Sequence, residues 1–217
     1  MPQASLNILR EITPPVLIRA IRAVVPRSEN DDPDQLFGGN DAMFKEHVLG
    51  ANCYAEYGAG KSTVWVANNT NAHIIAADTD TRWLKSVEAK IDRENIHYVW
   101  TDCGEIANWG RPKSYAKRQN FMTYARSVWS KDIKPDLVLI DGRFRVLCFL
   151  NSVALASPGT KIIFDDYSDR PQYHIVEEVL KPQRQHDRQV LFEIPKKSDL
   201  DLPKINTLIE KFEYVMA

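Results

Sequence analysis

The chain has 217 residues, of which 44% are hydrophobic and 26% are charged, so it is long enough to bury one full core. Its formal net charge of -1 excludes a general attraction to nucleic acid or to anionic lipid. The N-terminus shows no charged-then-apolar signal pattern, and no apolar run approaches the roughly 18 residues of a membrane span. We therefore expect a cytoplasmic protein whose partners include neither a membrane nor nucleic acid.

The three cysteines, Cys53, Cys103 and Cys148, lie far apart in the sequence and form no CxxC pair. The five histidines do not group with them, so we expect neither a zinc site nor a disulfide framework. Buried thiols in a reducing compartment agree with a cytoplasmic location.

The first 35 residues are predicted to form a helical extension. Apolar residues recur at helical spacing over residues 4–25, and Pro14 and Pro15 divide this stretch into two short helices because proline breaks a helix interior. A polar loop rich in turn formers follows over residues 27–41, and a short helix is predicted at residues 42–49. We therefore expect an N-terminal helical extension, residues 1–35, and one larger domain, residues 36–217.

Predicted strands and helices alternate in the larger domain. The strands are predicted at residues 53–58, 73–78, 96–102, 134–142, 160–166 and 188–195. The helices are predicted at residues 62–69, 81–95, 146–157, 173–182 and 203–213. Such alternation predicts a parallel sheet that is covered by helices on both faces.

Acidic or glycine-rich clusters stand at the carboxyl ends of the predicted strands. These clusters are Glu56 with Gly58, Asp78, Asp102, Asp141, and Asp165 with Asp166. Because ligands bind at the carboxyl edge of an open parallel sheet, we expect the functional site there.

The stretch EYGAGKST, residues 56–63, resembles a phosphate-binding P-loop at first sight. That motif requires a glycine five residues before Gly60, where this chain has Ala55, and Glu56 would repel phosphate at close range. A P-loop nucleotide hydrolase is therefore the less favoured alternative. In the favoured interpretation, Gly58 and Gly60 form a sharp turn into a helix and let a ligand approach the backbone closely.

Two carboxylates suggest which ligand the turn binds. Asp78 lies 18 residues after Gly60, at the end of the second strand, where a carboxylate accepts hydrogen bonds from ribose hydroxyls. Glu56 suits a ligand with a cationic amino group. Together they indicate S-adenosylmethionine rather than NAD or ATP.

Five motifs carry a family resemblance: YAEYGAGKSTVWVA, HIIAADTD, WTDCGE, DLVLIDGRFR and KIIFDDY. Their order resembles that of the class I S-adenosylmethionine-dependent methyltransferases over residues 36–194. The resemblance implies an α/β fold: a Rossmann-like three-layer sandwich, whose mostly parallel sheet has an antiparallel C-terminal strand. It also implies that Glu56 and the glycine turn hold the methionine part, Asp78 binds the ribose, and Asp102 and Cys103 flank the adenine. The implied cofactor residues are Glu56, Gly58, Ala59, Gly60, Ser62, Asp78, Thr79, Asp102, Cys103 and Asp141. For Asp102 the alternative is a turn or helix cap.

Asp141, Asp165 and Asp166 are the candidate metal ligands. Carboxylates at adjacent strand ends can coordinate Mg²⁺, and in metal-dependent O-methyltransferases of this fold such acids hold a metal that lowers the pKa of a substrate hydroxyl. Sugar-modifying relatives carry a further acid after IDG, where this chain has Arg143. Arginine cannot act as a base, and it would repel a metal or bind an anionic substrate group. The alternative is that Asp141 and Asp165 cap turns or pair with Arg143 and Arg145.

The segment over residues 108–131 is basic and aromatic, and it is longer than a simple crossover. One interpretation is a helix whose aromatic side packs on the sheet. The other is a lid whose basic residues, with Arg143 and Arg145, select an acidic or glycan substrate.

The function that these observations predict is methyl transfer from S-adenosylmethionine to an oxygen of a small or glycan-like acceptor. The catalytic candidates are Asp141, Asp166 and Arg143. The alternative of another class is a protein that binds S-adenosylmethionine without turnover, which Arg143 in place of an acid would allow. The sequence leaves the requirement for Mg²⁺ and the formation of a homo-oligomer open.

Overall fold

The computed structural model describes residue 32 and residues 34–216, and its elements confirm the predicted alternation. The helices predicted within residues 4–25, and nearly all of the predicted extension, lie outside the described residues. In chain order the elements are α1 (Ala42–Val48), β1 (Cys53–Tyr57), α2 (Lys61–Asn69), β2 (His73–Asp78), α3 (Thr81–Glu88), β3 (Ile96–Trp100), α4 (Phe121–Arg126), β4 (Leu137–Ile140), α5 (Arg145–Leu155), β5 (Lys161–Phe164), β6 (Arg184–His186), β7 (Gln189–Glu193) and α6 (Leu202–Phe212). Short 3₁₀ helices lie at Phe37–Gly39, Asn108–Gly110, Arg118–Asn120, Ser127–Ser130, Pro171–Glu178 and Lys197–Asp199.

The strands form one seven-stranded sheet in the order β3-β2-β1-β4-β5-β7-β6. The first five strands in this order are parallel, whereas β7 and β6 run antiparallel to their neighbours. This topology confirms the predicted Rossmann-like fold. The order reverses between β1 and β4, and the crevice at the carboxyl ends of such a pair is the usual ligand site of an open α/β sheet.

Both faces of the sheet are buried, as the apolar strand sequences predict. Alternate residues of β1 illustrate this, since Ala55 packs in one hydrophobic cluster with residues of α4, α5 and α6. Tyr54 packs in the other cluster with residues of α1, α2 and α3. The two clusters make three layers and leave the strand ends as the edge where polar side chains meet.

Three elements differ from the sequence prediction. The helix predicted over residues 81–95 ends at Glu88, because Leu84 and Val87 are its last fully buried apolar residues. The helix predicted over residues 173–182 is a 3₁₀ helix, and its buried residues Tyr173 and Val176 have the three-residue spacing of that helix. The polar strand β6 was not predicted because its three residues carry no apolar alternation.

Within the described residues, no helix combines the length and the apolar character that crossing a bilayer requires.

Candidate active site

The glycine turn after β1 lies against the loop after β4. Gly58 has φ +95°, and a Cβ on it would lie 2.7 Å from both N and Cα of Gly142. A Cβ on Gly142 would in turn lie 2.7 Å from the hydroxyl oxygen of Tyr124. Both positions therefore require glycine. Gly60 differs, because a Cβ on it would meet no atom within 4 Å, so open space adjoins its backbone.

Glu56 lies beneath this turn rather than in the crevice. Its side chain is buried, and Oε2 accepts hydrogen bonds from the hydroxyls of Tyr54 at 2.9 Å and Ser62 at 2.6 Å. Oε1 accepts one from the hydroxyl of Thr63, in the first turn of α2. Burial raises the pKa of Glu56 to about 7, although the three hydroxyls oppose the shift. Glu56 therefore fixes the start of α2 to β1 in this structure.

The Glu56→Gln variant should change how stability depends on pH. A carboxyl whose pKa is about 7 when folded and 4.5 when unfolded loses stabilisation as the pH rises between these values. The free energy of unfolding of the variant, relative to wild type, should thus rise by about 3 kcal/mol from pH 4.5 to 7. Urea titrations across this range measure it, with Glu210→Gln as an exposed control. A constant difference between Glu56→Gln and wild type would contradict the pKa.

Asp78 and Thr79 lie at the end of β2, beside the glycine turn. Asp78 is 7% exposed, and its Oδ1 accepts the N–H of Asp80 at 2.8 Å. Burial raises the pKa of Asp78 to about 6, while main-chain N–H groups including that of Ala59 oppose the shift. The indole N–H of Trp83 donates to the carbonyl of Ala59 at 2.6 Å and so ties α3 to the turn. Asp78 therefore lies beside the glycine turn, as the strand-end pattern predicts.

A hairpin of residues 105–113 crosses this edge, and we call it the covering hairpin. Its stem is closed by hydrogen bonds between Ala107 N and Arg111 O at 2.7 Å and between Lys113 N and Glu105 O at 2.8 Å. Its tip is the Asn108–Gly110 turn.

The tip of the covering hairpin is anchored on both sides of β1. The hydroxyl of Thr79, after β2, donates to the carbonyl of Gly110 at 2.6 Å. The Nε of Arg143, after β4, donates to the carbonyl of Trp109 at 2.7 Å. Because β1 lies between β2 and β4, a segment bonded to both loops passes over the carboxyl end of β1. The covering hairpin therefore lies across the crevice where we expect a ligand of the glycine turn.

Asp102 and Cys103 follow β3. Oδ1 of Asp102 accepts the N–H of Gly104 at 3.0 Å, and Oδ2 lies 3.4 Å from Nζ of Lys117. This contact agrees with the alternative of a turn cap. Cys103 is buried, and burial raises the pKa of its thiol to about 12.

Asp141, Asp165 and Asp166 come together at the ends of β4 and β5, with one carboxylate oxygen of each within 4.8 Å of the others. Three arginines neutralise them. Arg145 contacts Asp141 at 2.9 Å and Asp166 at 3.2 Å. Arg188 contacts Asp165 at 2.6 Å and Asp166 at 3.2 Å, and Arg170 contacts Asp166 at 2.6 Å.

This network does not fit a divalent cation. Both oxygens of Asp165 are taken, Oδ1 by Arg188 and Gln189 and Oδ2 by Arg188. Both oxygens of Asp166 also face guanidinium groups. A metal would have to displace these partners and lie beside their positive charges. The predicted carboxylates are adjacent, but the donor set is that of an ion-pair network and not of a magnesium site.

The predicted pairing of these acids with arginine holds for Arg145 only. Arg143 makes no ion pair within the described residues, and its Nε is bound to the covering hairpin instead. Arg145, the first residue of α5, is 6% exposed and donates to Oδ1 of Asp141 at 2.9 Å.

The two halves of the segment over residues 108–131 differ in burial. Phe121, Tyr124 and Trp129 are buried in the core, as the helical interpretation predicts. Trp109 and Tyr115, in its first half, are exposed at 73% and 49%. The first half thus contributes the covering hairpin, and the second half packs on the sheet.

Several residues complete this edge that the sequence motifs do not mark: Thr63, Trp83, Arg170 and Arg188. Arg188 binds an acid that lies 23 residues earlier, and only the antiparallel pairing of β7 with β5 brings it there. No local motif marks such a contact.

Two cavities of about 240 Å³ lie away from the strand-end acids. One is lined by His97, Ser130, Lys131, Asp132 and Ile133, and the other by Arg126, Trp129, Ser130, Lys134 and Leu155. Neither includes a predicted cofactor, metal or catalytic residue.

Comparisons with known proteins agree with the geometry. No family model and no curated protein matches the chain. Among solved structures, a methyltransferase-like protein from Silicibacter pomeroyi is 30% identical, with 79% of this chain and 91% of that chain covered and a TM-score of 0.71. A methyltransferase from Pyrococcus furiosus is 14% identical, with 83% and 96% covered and a TM-score of 0.45. Human N-acetylserotonin methyltransferase is 11% identical, with 74% and 52% covered and a TM-score of 0.45.

Proposed function

Because the chain belongs to the class I S-adenosylmethionine-dependent methyltransferase superfamily, we propose that it methylates an oxygen of a small or glycan-like acceptor. The observation that carries this proposal is the position of Asp78 beside the Gly58–Gly60 turn, with Asp141 at the end of the adjacent strand β4. Such a reaction needs a carboxylate that binds the ribose, a glycine turn, and a second acid at the point where the strand order reverses.

The residues of this edge suit S-adenosylmethionine. The open space beside Gly60 lets a ligand approach the backbone of the turn, and the Asp78 carboxylate suits ribose hydroxyls. Thr79, Asp102 and Cys103 lie further along the same edge, where we propose the adenine. Glu56 supports the turn through Ser62 and Thr63 rather than by touching the ligand.

The covering hairpin has to move for this ligand to bind. Its tip occupies the path over β1 and holds the side chain of Thr79. We propose that the bonds from Thr79 and Arg143 to the tip break when the cofactor enters.

Asp141 is the proposed base. When bound, S-adenosylmethionine supplies a methyl group from its cationic sulfur. The rest of the cofactor then leaves as a neutral thioether. Burial raises the pKa of Asp141, Arg145 opposes the shift, and Asp165 and Asp166 add to it. A carboxyl with a raised pKa accepts a proton from an acceptor hydroxyl more readily near neutral pH. Arg145 holds Asp141 in place at 2.9 Å.

Two alternatives remain from the sequence. A protein that binds the cofactor without turnover is the alternative that Arg143 allows, because it stands where sugar-modifying relatives carry an acid. A P-loop hydrolase is not favoured, since the Ser62 hydroxyl that would serve Mg²⁺ donates to Glu56.

Binding of S-adenosylhomocysteine tests the proposal. Asp78→Asn should weaken it by roughly 1–3 kcal/mol because the ribose hydroxyls lose a charged acceptor. Isothermal titration calorimetry measures this, and Asp92→Asn, at an exposed position, is the control. An unchanged affinity in Asp78→Asn would refute the role of Asp78. No binding by wild type would refute the proposed function.

A further inference from the structure

The edge formed by β4 and β5 carries more guanidinium groups than carboxylates. Among the described residues, Asp141, Asp165 and Asp166 contact Arg145, Arg170 and Arg188, which balances three charges with three. Arg143 stands beside this balanced network and adds a positive charge that no carboxylate of the described residues offsets.

Arg143 occupies a position that the fold itself does not favour. Its one hydrogen bond in the described part of the chain runs from Nε to a main-chain carbonyl, that of Trp109. Burial lowers the pKa of Arg143, the charges of Arg145, Arg170 and Arg111 lower it further, and Tyr173 opposes the shift. A half-buried arginine among like charges destabilises a fold unless an anion accompanies it.

The two terminal amino groups of Arg143 make no hydrogen bond within the described residues. They form the part of the guanidinium that binds carboxylate or phosphate in a bidentate manner. Arg143 also lies two residues after Asp141, the proposed base, at the switch point of the sheet. An anion bound there would lie on the acceptor side of the site.

We propose that Arg143 binds a carboxylate or phosphate group of the acceptor and so makes the enzyme select anionic acceptors. The assignment of this anion to the acceptor rests on the proposed function, whereas the anion site itself rests on Arg143. When the covering hairpin lifts, Arg143 loses its bond to Trp109 and can present all its donors to the anion.

Anion titrations test this proposal. Inorganic phosphate and acetate are titrated separately by calorimetry at constant ionic strength, and the stronger of the two identifies the group. Wild type should bind one of them saturably, and Arg143→Gln should weaken that binding at least about tenfold. Arg143→Lys keeps the positive charge but loses the paired N–H donors of the guanidinium. Its affinity for the anion should therefore lie between those of wild type and Arg143→Gln. Arg118→Gln, an exposed arginine of the same basic segment, should match wild type.

Two results would overturn the proposal: wild type that binds neither anion, or Arg143→Gln that binds as wild type does. Titration of the same samples with S-adenosylhomocysteine separates this site from the proposed function. If that ligand fails to bind while the anion depends on Arg143, the methyltransferase proposal falls and the anion site stands. If Arg143 only held the hairpin, its variants would alter the affinity for S-adenosylhomocysteine and leave anion binding unchanged, which also contradicts the proposal.

Discussion

A disulfide between cysteines introduced at Thr79 and Gly110 should prevent S-adenosylhomocysteine from binding, and reduction should restore the binding. The bridge would fix the tip of the covering hairpin over β1, so the open form would no longer be populated. Because apparent affinity scales with the fraction of binding-competent molecules, we expect a loss of about 100-fold or more in the oxidised form.

The geometry favours this bridge. A Cβ on Gly110 would lie 2.8 Å from Oγ1 of Thr79, so thiols at these positions are within bonding reach. The native cysteines Cys53, Cys103 and Cys148 are buried and free, and they do not compete for the bond. Cysteine at Gly110 has to adopt φ +69°, which costs about 1–2 kcal/mol. Both redox forms bear this cost, so their comparison isolates the bridge.

Calorimetry on the oxidised and the reduced protein measures the effect. A matched control places cysteines at Glu105 and Lys113, which face each other across the stem of the same hairpin. That bridge closes the hairpin on itself without tying it to β2, so binding should persist. Equal affinity of the oxidised and reduced Thr79/Gly110 variant would mean that the ligand does not need the hairpin to move.

The sequence predicts the parts of this site that depend on local pattern. Gly58 and Asp78 follow apolar strands, and the parallel arrangement of those strands brings them to one edge. β1 and β4 are buried along their whole length, as their apolar sequences predict. Strand-end residues are therefore predictable before the structure is known.

The sequence does not predict which side chains form hydrogen bonds or ion pairs with those residues. Glu56 suits a cationic ligand by its charge, yet the first turn of α2 places Ser62 and Thr63 on its oxygens. The magnesium prediction rested on the acids alone and did not include Arg170 and Arg188, which reach them through tertiary contacts. The covering hairpin is likewise held by single bonds from Thr79 and Arg143 to carbonyl groups. Such contacts depend on geometry that no residue pattern encodes.

Arg145→Met should destabilise the fold by about 3 kcal/mol, because it removes a buried guanidinium that pairs with the half-buried carboxylates of Asp141 and Asp166. Nη1 of Arg145 donates to the carbonyl of Asp165 at 2.6 Å, and Nε donates to the carbonyl of Gly142 at 3.0 Å. Its Nη2 donates to both the carbonyl and Oδ1 of Asp141. Burial opposes its charge, but Asp141 and Asp166 raise the pKa of Arg145 overall. One side chain thus joins the ends of β4 and β5, where Asp166 has a left-handed backbone with φ +56°.

Urea unfolding at pH 7 measures the loss in the free energy of unfolding of Arg145→Met. Arg143→Met is the matched control. Arg143 lies two residues away and has one hydrogen bond and no acidic partner in the described part of the chain, so its loss should stay below about 1.5 kcal/mol. The penalty of Arg145→Met applies to charged carboxylates, so it should shrink as the pH falls and Asp141, whose pKa burial raises to about 7, takes up a proton. Equal losses in the two variants, or a penalty that does not change with pH, would mean that packing rather than charge explains the position of Arg145. The expected pH dependence therefore distinguishes an ion-pair network that holds the proposed base from a side chain that only fills space.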